Sequence, residues 1–304
     1  MIERAKNEII IRSGYSEGGI RGVFRDNLIW ICVITFALLI LGEVLGDSIP
    51  FPNMSFFGSG FEYTFNLYSN FLGIWIVFIG FIFLFKRKNG YILDVLRYEN
   101  GGNNVKMLLY GFLLGFVLNA FCAGVAFLHN DFKLDFYKVE PVQLILLLLV
   151  VFVQSGAEEF VCRGFMYERL CSRYGSKWLA IITNSVFFAV LHLGNEGISI
   201  LGFVDLLVAG IFFSMLVYYY DSLWMAIACH TAWNFTQNII FGLPNSGALS
   251  EYSIFMARKG TLKSSFAFDS TFGLEGTLLA VSVMAAACIG LYICNSRAKA
   301  AKPD

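Results

Sequence analysis

Glu158 and Glu159 stand side by side, with Arg163 four residues on, inside an otherwise hydrophobic stretch, 142–166. Between Leu144 and Met166 the only other polar side chains are Gln154 and Ser155. An ionised carboxylate at mid-bilayer costs roughly 2.5 to 3.5 kcal/mol on insertion scales, so a doublet there needs partners, a wet cavity or a chemical task. Only three histidines occur in the chain, and His192 and His230 lie within apolar segments. His129 sits at a segment edge beside Asn130 and Asp131, where a surface role suffices.

Helical spacing divides these residues by role. Glu159 and Arg163 are at i and i+4 in the favourable acidic-first order, so they are expected to pair. Glu158 points about 100° away with Cys162 at its own i+4 position, which leaves it free to hold a water. His230 and Asn234 share one helix face, as do Phe188 and His192 with Ser185. A carboxylate, two imidazoles and a carboxamide around one water suit amide hydrolysis. Glu158 would be the general base, His192 would orient the water or share its proton, and His230 with Asn234 would donate to the oxyanion. No serine elbow, HExxH or CxxC accompanies them.

The elements that must position these residues are membrane helices. The 304 residues are 57% hydrophobic and 14% charged, with 32 Phe and a formal net charge of zero. That is outside the soluble range and excludes a basic nucleic-acid-binding face. Apolar runs fall at 28–46, 71–85, 107–128, 142–166, 178–193, 201–220, 223–241 and 276–294, predicting an all-α polytopic bundle of about eight transmembrane helices. The second and fifth are short, and are expected to be extended at their ends or half-inserted. Segments 47–70 and 242–275 would form an interfacial skirt or a cap. The seven cysteines show no paired framework and read as small buried hydrophobes. No repeat or linker divides the chain, so 1–304 reads as a single membrane domain that includes a polar N-terminal arm, 1–27, lacking a signal-peptide h-region. Helical rise places Glu158, His192 and His230 at overlapping depths within the slack of helix tilt.

Glu158 to Gly164 matches an EExxxR motif, Phe188 to His192 an FxxxH motif and His230 to Asn234 an HxxxN motif. On these residues the chain resembles the CPBP family, the type II CAAX prenyl proteases and bacteriocin-processing or immunity-related (Abi) proteins, over 142–241. The resemblance implies an intramembrane peptidase with Glu158, Glu159, Arg163, His192, His230 and Asn234 as its site, acting on a membrane-associated peptide or protein, prenylated or not. The family is often labelled metalloprotease, and a metal-free glutamate mechanism has also been proposed for it. No cofactor is expected to be required, with zinc held by Glu158, His192 and His230 as the alternative. Two rival functions use the same residues: a silent scaffold or immunity-type protein, and a proton-coupled transporter. The transporter would favour paired Gly- or Pro-broken helices, which the sequence lacks.

Of the 22 Lys and Arg, 16 fall in the N-terminal arm, the loops after the second and fourth runs, and the tail; 5 fall on the other face and Arg163 is intramembrane. Both termini should therefore be cytoplasmic, in the plasma membrane if the source is bacterial. Single cysteines placed in 47–70 or 242–275 of a cysteine-free variant should react with an impermeant thiol reagent from outside the cell. Labelling of the N-terminal arm instead would overturn this topology.

Overall fold

The computed structural model describes residues 26–258 and 260–300, the last four by backbone only. Most of the 1–27 arm, Lys259 and Lys302 of the charge count, and the side chains of Arg297 and Lys299 lie outside the described residues.

The helices are α1 (Leu28–Ser48), α2 (Ser59–Ser69), α3 (Leu72–Leu84), α4 (Val105–Leu128), α5 (Pro141–Glu159), α6 (Tyr167–Tyr174), α7 (Lys177–Leu191), α8 (Ile200–Tyr220), α9 (Leu223–Asn234) and α10 (Leu278–Ala300). Each start has a local cause. Asn27, Asn104, Ser176, Ser199 and Ser222 accept a first-turn amide at α1, α4, α7, α8 and α9, and Pro141 opens α5. The tight α8–α9 turn puts Asp221 in the left-handed region, at φ 52°, where Asp is tolerated.

The chain is an all-α polytopic bundle. Among the described residues six helices are long and apolar enough to cross a membrane by length and composition: α1, α2 with α3, α4, α5 with α6, α8 and α10. Two of the eight expected spans are helical but different in form: α7 has 15 residues, and α9 has 12 before it widens into a π-helical turn, Phe235–Ile240. The short second run is extended by α2, which takes up part of the segment 47–70 expected to lie outside.

Packing follows side-chain size. In lipid there is little hydrophobic drive between helices, so close backbone approach through small residues does the work. All of α9 except Trp224 is buried. A Cβ at Gly115 of α4 would strike the carbonyl oxygen of Cys229, and one at Gly111 that of Met225. Gly42, Gly46 and Gly73 let α1 and α3 meet in the same way. Over half of the α5–α6 span is buried, 56%, against 11% for α10, so the first is central and the second peripheral.

The connections form two sets. In one, Asn103 reaches the α8–α9 turn by accepting from Ser222 and Trp224, Trp224 donates to Leu96 O, and Asp26 at the head of α1 pairs with Arg169 of α6. In the other, residues 242–277 cover the bundle. Thr64 of α2 contacts Ser250, Tyr68 donates to Asn238, and Asn238 and Gln237 of the π-helical turn donate to the backbone of 243–248. β1 (Leu134–Phe136) pairs antiparallel with β2 (Phe255–Ala257), Leu134 opposite Ala257. Arg258 beside it grips Asp135 through two hydrogen bonds and holds that carboxyl below its ordinary range. Segment 242–275 thus takes the cap form. None of the seven cysteines forms a disulfide, and Cys294 is exposed rather than buried.

Candidate active site

Both glutamates stand where α5 gives way to a π-helical turn, Phe160–Met166, before continuing as α6. A wider turn re-aims side chains that a regular helix would stack, and such turns concentrate at functional sites. Its outer wall is aromatic: Phe160 stacks on Trp75 and Phe165 meets Phe78 edge-on. Trp75 also donates to Val153 O, tying α3 to α5.

Glu159 and Arg163 pair as their spacing predicts, with Arg163 Nη1 3.0 Å from Glu159 Oε1 and both side chains fully buried. The guanidinium is used on every side. Nη2 donates to Gly210 O at 3.0 Å, Nε to Ser214 Oγ at 3.3 Å, and its plane lies over the rings of Phe188 and Phe213. Gly210 is required here, because a Cβ would press on Ser185 and hold α8 away from α7. Asn184 Oδ1 accepts from Ser214 Oγ at 3.0 Å, which bridges α7 and α8. Asn119 likewise donates to Gln237 across helices.

The ion pair is not closed on itself. Glu159 Oε1 also meets His230 Nδ1 at 2.9 Å. A carboxylate only accepts, so Nδ1 carries the proton. The imidazole is thereby fixed with Nε2 towards Glu158, 3.6 Å from Oε2, which is too long for a direct hydrogen bond. Phe213 stacks on the same ring at 5.0 Å. Glu159, expected to serve a structural pair alone, therefore also orients His230.

Glu158 has two unlike oxygens. Oε1 accepts from Gln154 Nε2 at 2.7 Å, whereas Oε2 is buried without a hydrogen-bond partner. It lines a cavity of about 170 Å³ with Gln154, His192, His230 and Asn234. Phe188 O lies 2.8 Å from His192 Nδ1, and since a carbonyl only accepts, Nε2 of the neutral ring keeps its lone pair.

Asn234 is tied into the wall of the cavity. Its amide nitrogen is committed to Gln154 Oε1 at 3.1 Å and Ser155 Oγ at 3.3 Å, and its oxygen accepts from Asn245 of the cap. So it holds Gln154, which holds Glu158; neither amide hydrogen is free for an oxyanion. Sequence spacing did not single out Gln154, Asn245 or Glu275. Gln154 is four residues before Glu158, which was the available signal. The other two come from a loop whose position no periodicity encodes.

Among the described residues no group of three or more His, Cys, Asp or Glu side chains is gathered so as to hold a metal ion. Glu158, His192 and His230, the alternative zinc set, line the same cavity. Of the other intramembrane carboxylates, Glu43 is exposed on α1, while Asp205 of α8 lines the cavity.

Residues 140–236 match the family model of Type II CAAX prenyl endopeptidase Rce1-like proteins. The resemblance to the CAAX protease family holds. The matched segment contains all three motifs and every residue of the Glu158–Glu159–His230 arrangement, and it supports a protease function in general. No curated protein and no solved structure matches the chain.

Arg163→Ala should leave Glu159 charged and unpaired, lowering stability by about 3 to 5 kcal/mol. Replacing both members, Glu159→Gln with Arg163→Met, should recover part of that stability without restoring activity. Unfolding curves in detergent would measure both, and a wild-type transition for Arg163→Ala would contradict this assignment.

Proposed function

We propose that the chain is an intramembrane endopeptidase that hydrolyses a peptide bond of a membrane-associated or lipidated substrate. The observation that carries this is Glu158 Oε2, buried, without an internal hydrogen bond and 3.6 Å from His230 Nε2 at the wall of one cavity. A carboxylate held by one oxygen and open at the other is poised to take a proton from water.

In this reaction water held by Glu158 Oε2 and the lone pair side of His192 attacks the peptide carbonyl carbon. Its proton passes to Glu158, the C–O bond forms, and negative charge develops on the carbonyl oxygen. His230 enters the step as an imidazolium, with Nδ1–H on Glu159 and Nε2–H facing the cavity, and donates to that oxygen without losing its proton. Collapse of the intermediate breaks the C–N bond, and Glu158 returns its proton to the leaving amine. Asn234 and Gln154 are positioning residues here, steering Glu158 from behind. In this reading Glu158 and the two histidines act without a metal, and the alternative is a zinc ion that Glu158, His192 and His230 would hold.

Family likeness supports a CPBP-type peptidase, and the apolar lining contributed by Leu67, Phe71 and Leu206 suits a substrate delivered within the bilayer. On the Lys and Arg asymmetry both termini would face the cytoplasm.

Glu158→Gln, with a wild-type melting temperature, should lose at least about a hundredfold in cleavage rate. Gln154→Ala and Asn234→Ala should each slow the reaction, and together cost little more than either alone, because they act along one chain of contacts. Rates on reconstituted protein with and without a chelator would read all three. Near-wild-type cleavage by folded Glu158→Gln would exclude its role as base.

A further inference from the structure

The cavity has a second wall that hydrolysis leaves unused. Asp205, 2% exposed, accepts from Gly276 N at 3.3 Å through Oδ2, while Oδ1 is buried with no hydrogen-bond partner. Gly276 follows Glu275 in the chain, and both carboxylate residues line the cavity. Glu275 is held by three neutral donors, Trp233 Nε1 and Gln237 Nε2 at 2.6 Å each and Ser246 N at 3.3 Å. None of them neutralises its charge.

Glu158 lines the same cavity, and among the described residues the lining contains no Lys or Arg. Arg163, the one guanidinium nearby in the bundle centre, is spent on Glu159, Gly210 and Ser214. Carboxylates in a low-dielectric cleft focus a strong negative potential, and an unpaired one is costly until a cation meets it. Two carboxylates without a further His, Cys, Asp or Glu donor do not make a metal set among the described residues. They do fit an ammonium or guanidinium, which hydrogen-bonds as well as neutralises.

We propose that Asp205, with Glu275 beside it, forms a subsite for a basic side chain of the substrate, a lysine or arginine bound in the same cavity as the scissile bond. This rests on the peptidase function proposed above and adds to it a charge requirement. The substrate would be an apolar, membrane-delivered segment carrying one basic residue near the cleaved bond. Glu275 belongs to the cap and Asp205 to the bundle, so the bound cation would also draw the two together.

The test uses full-length protein in nanodiscs and a panel built on one fluorescent apolar peptide, in which each norleucine is replaced in turn by Lys. Binding is measured on Glu158→Gln, so that cleavage plays no part, and cleavage on wild type. At one position Lys should bind about tenfold or more tightly than norleucine, the range for a charged hydrogen bond. Adding Asp205→Asn should abolish that preference and leave the affinity for the norleucine peptide in place. Absence of a Lys preference at every position, or its survival in Asp205→Asn, would overturn the subsite. The scan itself is decisive with Asp205 intact, even if Asp205→Asn does not fold. Cleavage without Lys preference would sink the subsite alone, whereas Lys preference without cleavage by wild type would sink the peptidase function alone.

Discussion

The buried contact between Glu159 and Arg163 is the constraint around which the centre of this bundle is arranged. Two charges withdrawn from water cost several kcal/mol each unless their hydrogen-bonding capacity is met within the protein. Arg163 meets its share through Glu159, Gly210 O and Ser214 Oγ, so α5, its π-helical continuation and α8 are fixed together. Glu159 meets part of its share through His230, which fixes α9 and, with it, the ring that faces Glu158. Stability and the proposed chemistry thus depend on the same carboxylate. Removing it would cost both.

Close packing makes that arrangement rigid. Gly210 admits Ser185, and Gly111 and Gly115 admit the backbone of α9, so His230 is carried on a helix that is buried on almost every side. The cap completes the cavity from the opposite direction. Asn245 touches Asn234, and Glu275 engages Trp233 and Gln237. A polar cavity is thereby enclosed within an apolar bundle, with one wall suited to moving a proton and another suited to receiving a positive charge.

Much of this was legible in the residues because helical spacing is a geometric statement. The Glu159–Arg163 pair follows from i and i+4, and the freedom of Glu158 Oε2 follows from the 100° step between neighbours. Other features depend on tertiary contacts that spacing does not encode. The π-helical turns after Glu159 and Asn234 interrupt a regular period without any Pro or Gly to announce them at their start. Asn234 shares a face with His230, yet its donors turn to Gln154 and Ser155, because α5 packs against that side of α9. The 47–70 segment carries too much Gly, Asn and Ser for an apolar run, and α2 forms there because its inner face packs on α5 and the cap. Glu275 gave no signal, since a carboxylate in a loop is ordinarily solvated.

Glu159 is the group that fixes the protonation and direction of His230. With only three histidines in the chain, nitrogen-15 resonances of histidine-labelled protein in nanodiscs can be assigned by single substitutions. His230 should carry a proton at Nδ1, in a hydrogen bond that disappears in Glu159→Ala, while the His192 signal is unchanged. An unprotonated Nδ1 on His230, or a spectrum indifferent to Glu159→Ala, would contradict it.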